Sequence, residues 1–336
     1  MDLPEEMLTS FAVGSGRMSL ERTGTPDPGD GILLRVAYCG ICGSDRRQLV
    51  SRREGEKNTM GHEVVGEVVA TPPGAEELSG RMVGVAPRLG CCECSTCSRG
   101  YPNLCKNTRI IGYQVPGGFS QYMAVPPEAI EGGNIVPLPG EIDPNLGALA
   151  EPLSCVINGL ELSSPGKGDS ILIYGAGPMG QMFTIMSGEI TRDICVVEPD
   201  RGRREFALSH GAAEAFTPGS REIPEAEIII VACSSERAYE EAMQKAPPGG
   251  RVNLFGGLSD GVEINSNLIH YGQLTVHGTS GSTPGQFAGA MEALVRLPGL
   301  REVITDTVGF PDLENTVLSG PPGLGLHLKS VLDPWL

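Results

Sequence analysis

Asp169-Ser-Ile-Leu-Ile-Tyr174-Gly175-Ala-Gly177-Pro178-Met179-Gly180 sets an apolar run against a glycine-rich turn, and a helical stretch follows to about Gly188. A GxGxxG pattern is weak alone, but between a strand and a helix it points to a dinucleotide-binding turn. The three glycines would allow a tight turn, close approach of a pyrophosphate and tight helix–strand packing, while the helix N-terminus offers free N–H groups to the phosphates. Cys195-Val-Val-Glu198 reads as the next strand and ends in an acid 18 positions after Gly180. That is near the ~20 expected for a carboxylate that accepts from the ribose hydroxyls. Glu198 would repel a 2′-phosphate, which favours NAD over NADP. Arg201, Arg203 and Arg204 follow it, either as holders of a 2′-phosphate or as exposed helix residues. Strand-like runs recur at Glu227–Val231, Arg251–Phe255 and Gln273–His277 with helical stretches between, the pattern of a doubly wound parallel sheet.

Upstream the chemistry-bearing residues change. Gly31 to Tyr38 reads as a strand, and Cys39-Gly40-Ile41-Cys42-Gly43-Ser44-Asp45 follows immediately. Met60-Gly-His62-Glu63 leads into a β-like run to Val69. Cys and His are ligands that zinc selects, and a catalytic zinc site keeps one position open. The Cys39/Cys42 pair could instead be a redox motif, but that requires a βαβ context and the downstream sequence is β-like. Cys39 reads as a small core residue. A lone His at a strand edge is commonly just a satisfied polar side chain; His62 rises above that because Glu63 adjoins it and Cys42 lies upstream.

Cys91, Cys94, Cys97 and Cys105 have the spacing Cys-x2-Cys-x2-Cys-x7-Cys, with Cys92 inserted as a bystander. Four thiolates make a closed, structural zinc site; disulfides or an iron–sulfur cluster are the alternatives. Glu151, ahead of Pro152 and after an apolar stretch, marks a helix–helix junction or a capping carboxylate.

Composition narrows the function class. With 336 residues the chain can hold two cores, and 40% apolar with 20% charged residues is ordinary for a globular protein. A net charge of −16 argues against a nucleic-acid or anionic-membrane surface. The residues from Met1 to Glu6 lack the features of a secretory signal, and no apolar run reaches the ~18 residues of a membrane span. Ten cysteines in a chain of this size point to metal binding rather than a disulfide framework, and with the rest to a cytoplasmic location.

Together, Gly40-Ile-Cys-Gly-Ser-Asp45, Gly61-His-Glu63, the four-cysteine lobe (about 88–108), Glu151-Pro-Leu-Ser154 and Gly175–Gly180 resemble, in this order, the zinc-dependent medium-chain alcohol and polyol dehydrogenases of the sorbitol and threonine dehydrogenase-like branch. The resemblance covers nearly the whole chain. It implies an α/β protein: a GroES-like, mostly-β catalytic domain from residues 1–152 and 281–336, a Rossmann NAD-binding domain from 153–280, and the active site in the cleft between them. It also implies two Zn2+ per chain, NAD, a small hydroxylated substrate and a homodimer or homotetramer, with Gln273–His277 as a strand that pairs across the two-fold. By position Cys42, His62 and Glu63 match catalytic zinc ligands, with Glu151 a further ligand, direct or through water. Ser44 matches the hydroxyl that relays the substrate proton and Asp45 a carboxylate that orients His62. Cys91, Cys94, Cys97 and Cys105 match the structural quartet, and Gly175, Gly177, Pro178, Met179, Gly180, Glu198 and Arg203 the cofactor site.

One departure stands out: many relatives carry a histidine where this chain has Arg47. Arginine stays charged and cannot shuttle protons, so either water completes the relay or Arg47 binds cofactor or substrate. The expected chemistry is reversible hydride transfer between NAD and a secondary alcohol or ketone of a polyol, sugar or cyclitol, with zinc polarising the oxygen. The competing readings are an NADPH-dependent enone reductase of the same superfamily, which would lack these ligands, and a zinc-stabilised NAD(P)-binding protein without dehydrogenase activity.

Overall fold

The computed structural model describes residues 3–258, 260–320 and 325–336. The chain divides into two compact units, residues 1–154 with 281–336, and residues 155–280.

In the unit of residues 155–280, six strands among the described residues form a parallel sheet. Their order is Glu214–Phe216, Ile194–Val197, Ile171–Tyr174, Ile228–Val231, Arg251–Leu254, Thr275–Gly278. Numbered along the chain this is 3-2-1-4-5-6, the dinucleotide-binding arrangement whose ligand crevice opens where strands 1 and 4 part company. The strands at 171, 194 and 228 are buried at every position. Parallel strands covered by helices on both faces have no solvent side, which is why they read as continuous Ile/Val/Leu runs. Helices Pro178–Ser187, Arg201–Ser209, Glu236–Lys245 and Ser266–Gly272 alternate with them. The strand Glu214–Phe216 has no counterpart in the sequence reading; one exposed and two half-exposed residues carry too little apolar signal.

In the other unit, the order is Ile304–Val308, Lys329–Leu332, Ile32–Ile41, Glu63–Ala70, Met82–Val85, Ile135–Pro137, with Tyr122–Val125 also paired to Ile32–Ile41. Only the first pair is parallel. Leu34, Val36, Val64, Val68, Val83, Val85, Phe119 and Leu332 fill the core of this unit. Residues 43–51, which the sequence reading assigns to no element, are a helix, Gly43–Ser51, with Cys42 at its N-cap. The Gly-Ser-Asp opening suits a helix start: Asp45 at the third helical position accepts from the Cys42 backbone N–H at 2.8 Å.

Strand pairing in this unit places a charge deep in its interior. Gly40 lies opposite Glu63 on one side and Val331 on the other. A Cβ on Gly40 would sit 1.8 Å from Glu63 Oε2, so only glycine leaves room for that carboxylate. Lys329, from the last strand, reaches the same point, its Nζ 2.5 Å from the carboxylate. Glu63 is 1% and Lys329 4% exposed. Removing one partner of a buried ion pair strands the other charge and costs about 3–5 kcal/mol, whereas removing both costs far less. Lys329→Met is therefore expected to lower the unfolding free energy by about that amount in urea titrations with chelator present, and Glu63→Gln together with Lys329→Met to recover more than half of the loss. Equal losses in the single and double variants would show that the pair contributes no such constraint.

Candidate functional site

Three donor groups converge at the edge of the sheet carrying Glu63. Cys42 leads into the Gly43–Ser51 helix, while His62 and Glu63 open the Glu63–Ala70 strand. Their donor atoms all lie within 4.8 Å of one another, close enough to converge on one ion. His62 Nδ1 faces Asp45 Oδ1 at 3.3 Å, and Ser44 Oγ lies 3.4 Å from His62 Nε2. A proton held on Nδ1 by the carboxylate leaves Nε2 as the ligand atom. Burial opposes charging His62, but the Asp45 carboxylate and the Cys42 sulfur outweigh it and lift its pKa well above the ordinary value.

Asp45, Glu63 and Lys329 are all buried, and the charges around His62 do not balance. Cys42, Asp45, Glu63 and Glu151 are potential anions, against one ammonium. Burial raises the Glu63 pKa against the pull of Lys329 and His62, and the Glu151 charge adds to the rise. Burial disfavours the Lys329 ammonium, yet Glu63, Cys42 and Asp45 lift its pKa to about 12. Lys329 Nζ donates to Glu63 Oε1 and lies equally close, 2.5 Å, to Oε2. An anionic donor set that a single ammonium leaves unbalanced fits a divalent cation.

Glu151, in the first turn of helix Ala150–Ser163, stands outside the close group of three but near enough for its charge to act on Glu63. Arg47 is exposed on the Gly43–Ser51 helix and makes no hydrogen bond or ion pair among the described residues. Cys39 is buried; burial, then Asp45 and Glu63, hold its thiol far above the usual range, unsuited to redox exchange. Lys329 and Tyr113, whose ring centroid lies 5.8 Å from that of His62, are absent from the sequence reading. No local pattern marks either one.

The second cluster lies in the lobe after Leu89. Sulfur–sulfur distances are 3.6 Å for Cys94–Cys97, 3.8 Å for Cys94–Cys105 and 3.5 Å for Cys91–Cys105. A tetrahedron of sulfurs with Zn–S bonds of about 2.3 Å has edges of about 3.8 Å, whereas a disulfide needs about 2.05 Å. Backbone N–H groups of Cys94 and Asn107 point at Cys91 and Cys105 Sγ at 3.4 and 3.3 Å, as thiolate ligands require. The Cys97 backbone N–H, helped by neighbouring thiols, draws the Cys94 pKa down to about 6. Cys92 is exposed at φ 58°, with its sulfur near Gly90 O.

In the unit of residues 155–280, the glycine turn divides its tasks. Gly175 has φ +93° and carries the tight turn. A Cβ on Gly180 would lie 1.8 Å from Gly175 O, so this glycine lets the helix pack against the turn. A Cβ on Gly177 would meet nothing within 4 Å, which leaves that face open to a pyrophosphate. Pro178 starts the helix, with Met179 and Gly180 after it. A cavity of about 300 Å³ beside the turn is lined by residues including Gly175, Glu198, Arg203, Cys233 and Arg237. Glu198 Oε2 accepts from Ala176 N at 2.7 Å and Oε1 from Asp200 N at 3.0 Å. Of the neighbouring arginines, Arg204 donates to the Glu198 and Pro199 carbonyls and Arg201 pairs with Glu205. Only Arg203 of the three lines the cavity.

Comparison with known proteins places the chain in a family. Residues 28–139 match the model of the alcohol dehydrogenase GroES-like domain, and residues 178–296 that of the zinc-binding dehydrogenases. L-threonine 3-dehydrogenase of Pyrococcus abyssi is 32% identical over 294 residues, 82% of each chain. L-galactonate-5-dehydrogenase of Escherichia coli is 27% identical over 78% of this chain and 80% of its own. The crystal structure of a zinc-binding dehydrogenase from Sinorhizobium meliloti bound to NADP, itself of putative function, superimposes with a TM-score of 0.88 at 25% identity, covering 98% of this chain and 100% of its own. The chain thus belongs to the zinc-dependent medium-chain alcohol and polyol dehydrogenases, and is an oxidoreductase that acts on CH–OH groups with zinc and NAD(P).

Proposed function

We propose that the protein interconverts a secondary alcohol and its ketone on a small hydroxylated substrate of the polyol, sugar or sugar-acid class, with NAD preferred over NADP. In this reading Cys42, His62 and a carboxylate, Glu63 or Glu151, hold the catalytic zinc, and Cys91, Cys94, Cys97 and Cys105 the structural one. Residues 1–152 with 281–336 are the catalytic domain and 153–280 the NAD-binding domain. The observation that carries the reading is the approach of the Cys42, His62 and Glu63 donors to within 4.8 Å, with Ser44 Oγ 3.4 Å from His62 Nε2. The substrate class follows the relatives, whose names include L-threonine and L-galactonate dehydrogenases.

When bound, zinc would polarise the substrate oxygen and the nicotinamide would exchange the hydride. The chain's own residues do the rest. Cys42 and His62 fix the position of the metal, and Asp45 fixes the His62 ring through Nδ1. Ser44 Oγ takes the proton of the substrate hydroxyl and passes it to solvent; its half-buried position supports this. Arg47, exposed on the same helix, is a candidate contact for an anionic group of substrate or cofactor. Glu198, at the cavity beside the glycine turn, accepts from the ribose hydroxyls and disfavours a 2′-phosphate, with Arg203 alongside. The Thr275–Gly278 strand ends the sheet order, which supports pairing of two copies through that edge in a homodimer or homotetramer. A cytoplasmic location belongs to the same reading, since thiolate quartets need a reducing compartment. Among the described residues, no helix is long and apolar enough to cross a membrane.

Metal analysis is expected to find about two zinc ions per chain. Cys42→Ser should lose one of them together with turnover, while NAD binding stays close to that of the parent. Undiminished turnover of Cys42→Ser would remove metal-assisted hydride transfer from the reading. Ser44→Ala should retain both ions and lower kcat by about 10²- to 10⁴-fold, the usual contribution of a positioned proton-transfer group. A kcat within twofold of the parent would assign the relay to another group.

A further inference from the structure

Tyr113 stands beside the metal site on a turn built to hold it there. Gly61, next to His62, has φ +89°, and Gly112, next to Tyr113, has φ +80°. A Cβ on Gly112 would lie 3.0 Å from the Gly61 carbonyl, and one on Gly117 would lie 2.2 Å from Gly61 O. The two backbones therefore touch through glycines, and any side chain there would force them apart. Gly112 O accepts from Gln48 Nε2 at 3.1 Å and from Asn58 Nδ2 at 3.0 Å. Arg52 in turn holds Gln48 Oε1 at 2.7 Å. The bridge Ile111–Val115 closes the turn. These contacts present the Tyr113 ring to the His62 ring, the centroids 5.8 Å apart and the planes tilted by 56°. Tyr113 is half-buried, and its hydroxyl makes no hydrogen bond among the described residues.

We infer that Tyr113 is a specificity-determining residue, its phenol hydroxyl bonding a substrate hydroxyl or carboxylate next to the reacting carbon. The inference rests on the dehydrogenase reading above. A substrate oxygen within reach of Ser44 Oγ must also lie beside His62 Nε2, and so beside the ring that leans on His62. The ring gives an apolar wall for the carbon chain and the hydroxyl a donor and acceptor for a polar neighbour. A site with such a partner discriminates against analogues that lack the matching group, because the phenol, once covered by bound substrate, is then left without a hydrogen bond.

The test pairs polyols, sugars and sugar acids with deoxy counterparts lacking the hydroxyl adjacent to the reacting carbon, using the zinc-loaded enzyme with NAD. Tyr113→Phe is expected to raise KM for the fully hydroxylated members by about three- to tenfold, the range of one hydrogen bond. It should leave kcat and the KM of the deoxy members within twofold, with zinc content unchanged. Tyr113→Ala should raise KM for both sets. Equal effects of Tyr113→Phe on both sets, or none on either, would overturn the inference while leaving the dehydrogenase reading intact. If the parent enzyme turns over no member of the panel, both fall together.

Discussion

A carboxylate enclosed between a glycine backbone and an ammonium constrains the unit that carries the Cys42, His62 and Glu63 donor cluster. Glu63 can occupy its place only because Gly40, in the neighbouring strand, has no side chain, and Lys329 partners it from 266 positions further along the chain. An unpaired charge at that depth would be costly, so the register of three strands is tied to one electrostatic requirement. A one-residue slip of the Ile32–Ile41 strand would put Cys39 or Ile41 opposite the carboxylate and turn every alternate side chain to the wrong face. The same register sets Cys42 at the strand's end, where the helix begins, and so fixes the distance from its sulfur to His62.

That dependence explains which parts were legible beforehand. The parallel sheet could be read because each of its main strands is a short apolar run bounded by turn residues, and the glycine pattern marks the first crossover. The residues of the two donor clusters could be picked out from residue type and order along the chain, and the structure brings their donor atoms together. The role of Lys329 could not, because a lysine at the start of a short strand looks like an exposed residue until its partner is known. Tyr113 escaped for the same reason: it reaches His62 through a glycine contact between turns about 50 positions apart. The Gly43–Ser51 helix has no clear sequence signal because Gly, Ser and Asp serve turns and helix starts alike, and the bond from the Cys42 N–H to Asp45 is visible only in the structure.

Residue type alone does not assign a cysteine its task. Cys39 and Cys42 are three positions apart, yet one is sealed in the core against Gly61 and Gly118 while the other is half-exposed at a helix N-terminus. Burial beside carboxylates suppresses ionisation of the first. In the lobe, Cys92 shares the neighbourhood of four convergent thiols but takes a left-handed backbone conformation and stays out of the group. The direction of the backbone, rather than sequence proximity, decides which thiols converge.

The nucleotide turn follows a similar logic. Glu198 accepts from the amide of Ala176, inside the glycine loop, and from that of Asp200, at the start of the next helix. Each carboxylate oxygen keeps a lone pair, so the group that ties the loop to the second strand can still accept from a ribose. Its position is then set by two backbone bonds before any ligand arrives, and a ribose meets an acceptor that loses little freedom on binding. On the proposed reading, any selectivity against a 2′-phosphate would be built into the folded loop, since moving this carboxylate aside would mean giving up both amide bonds.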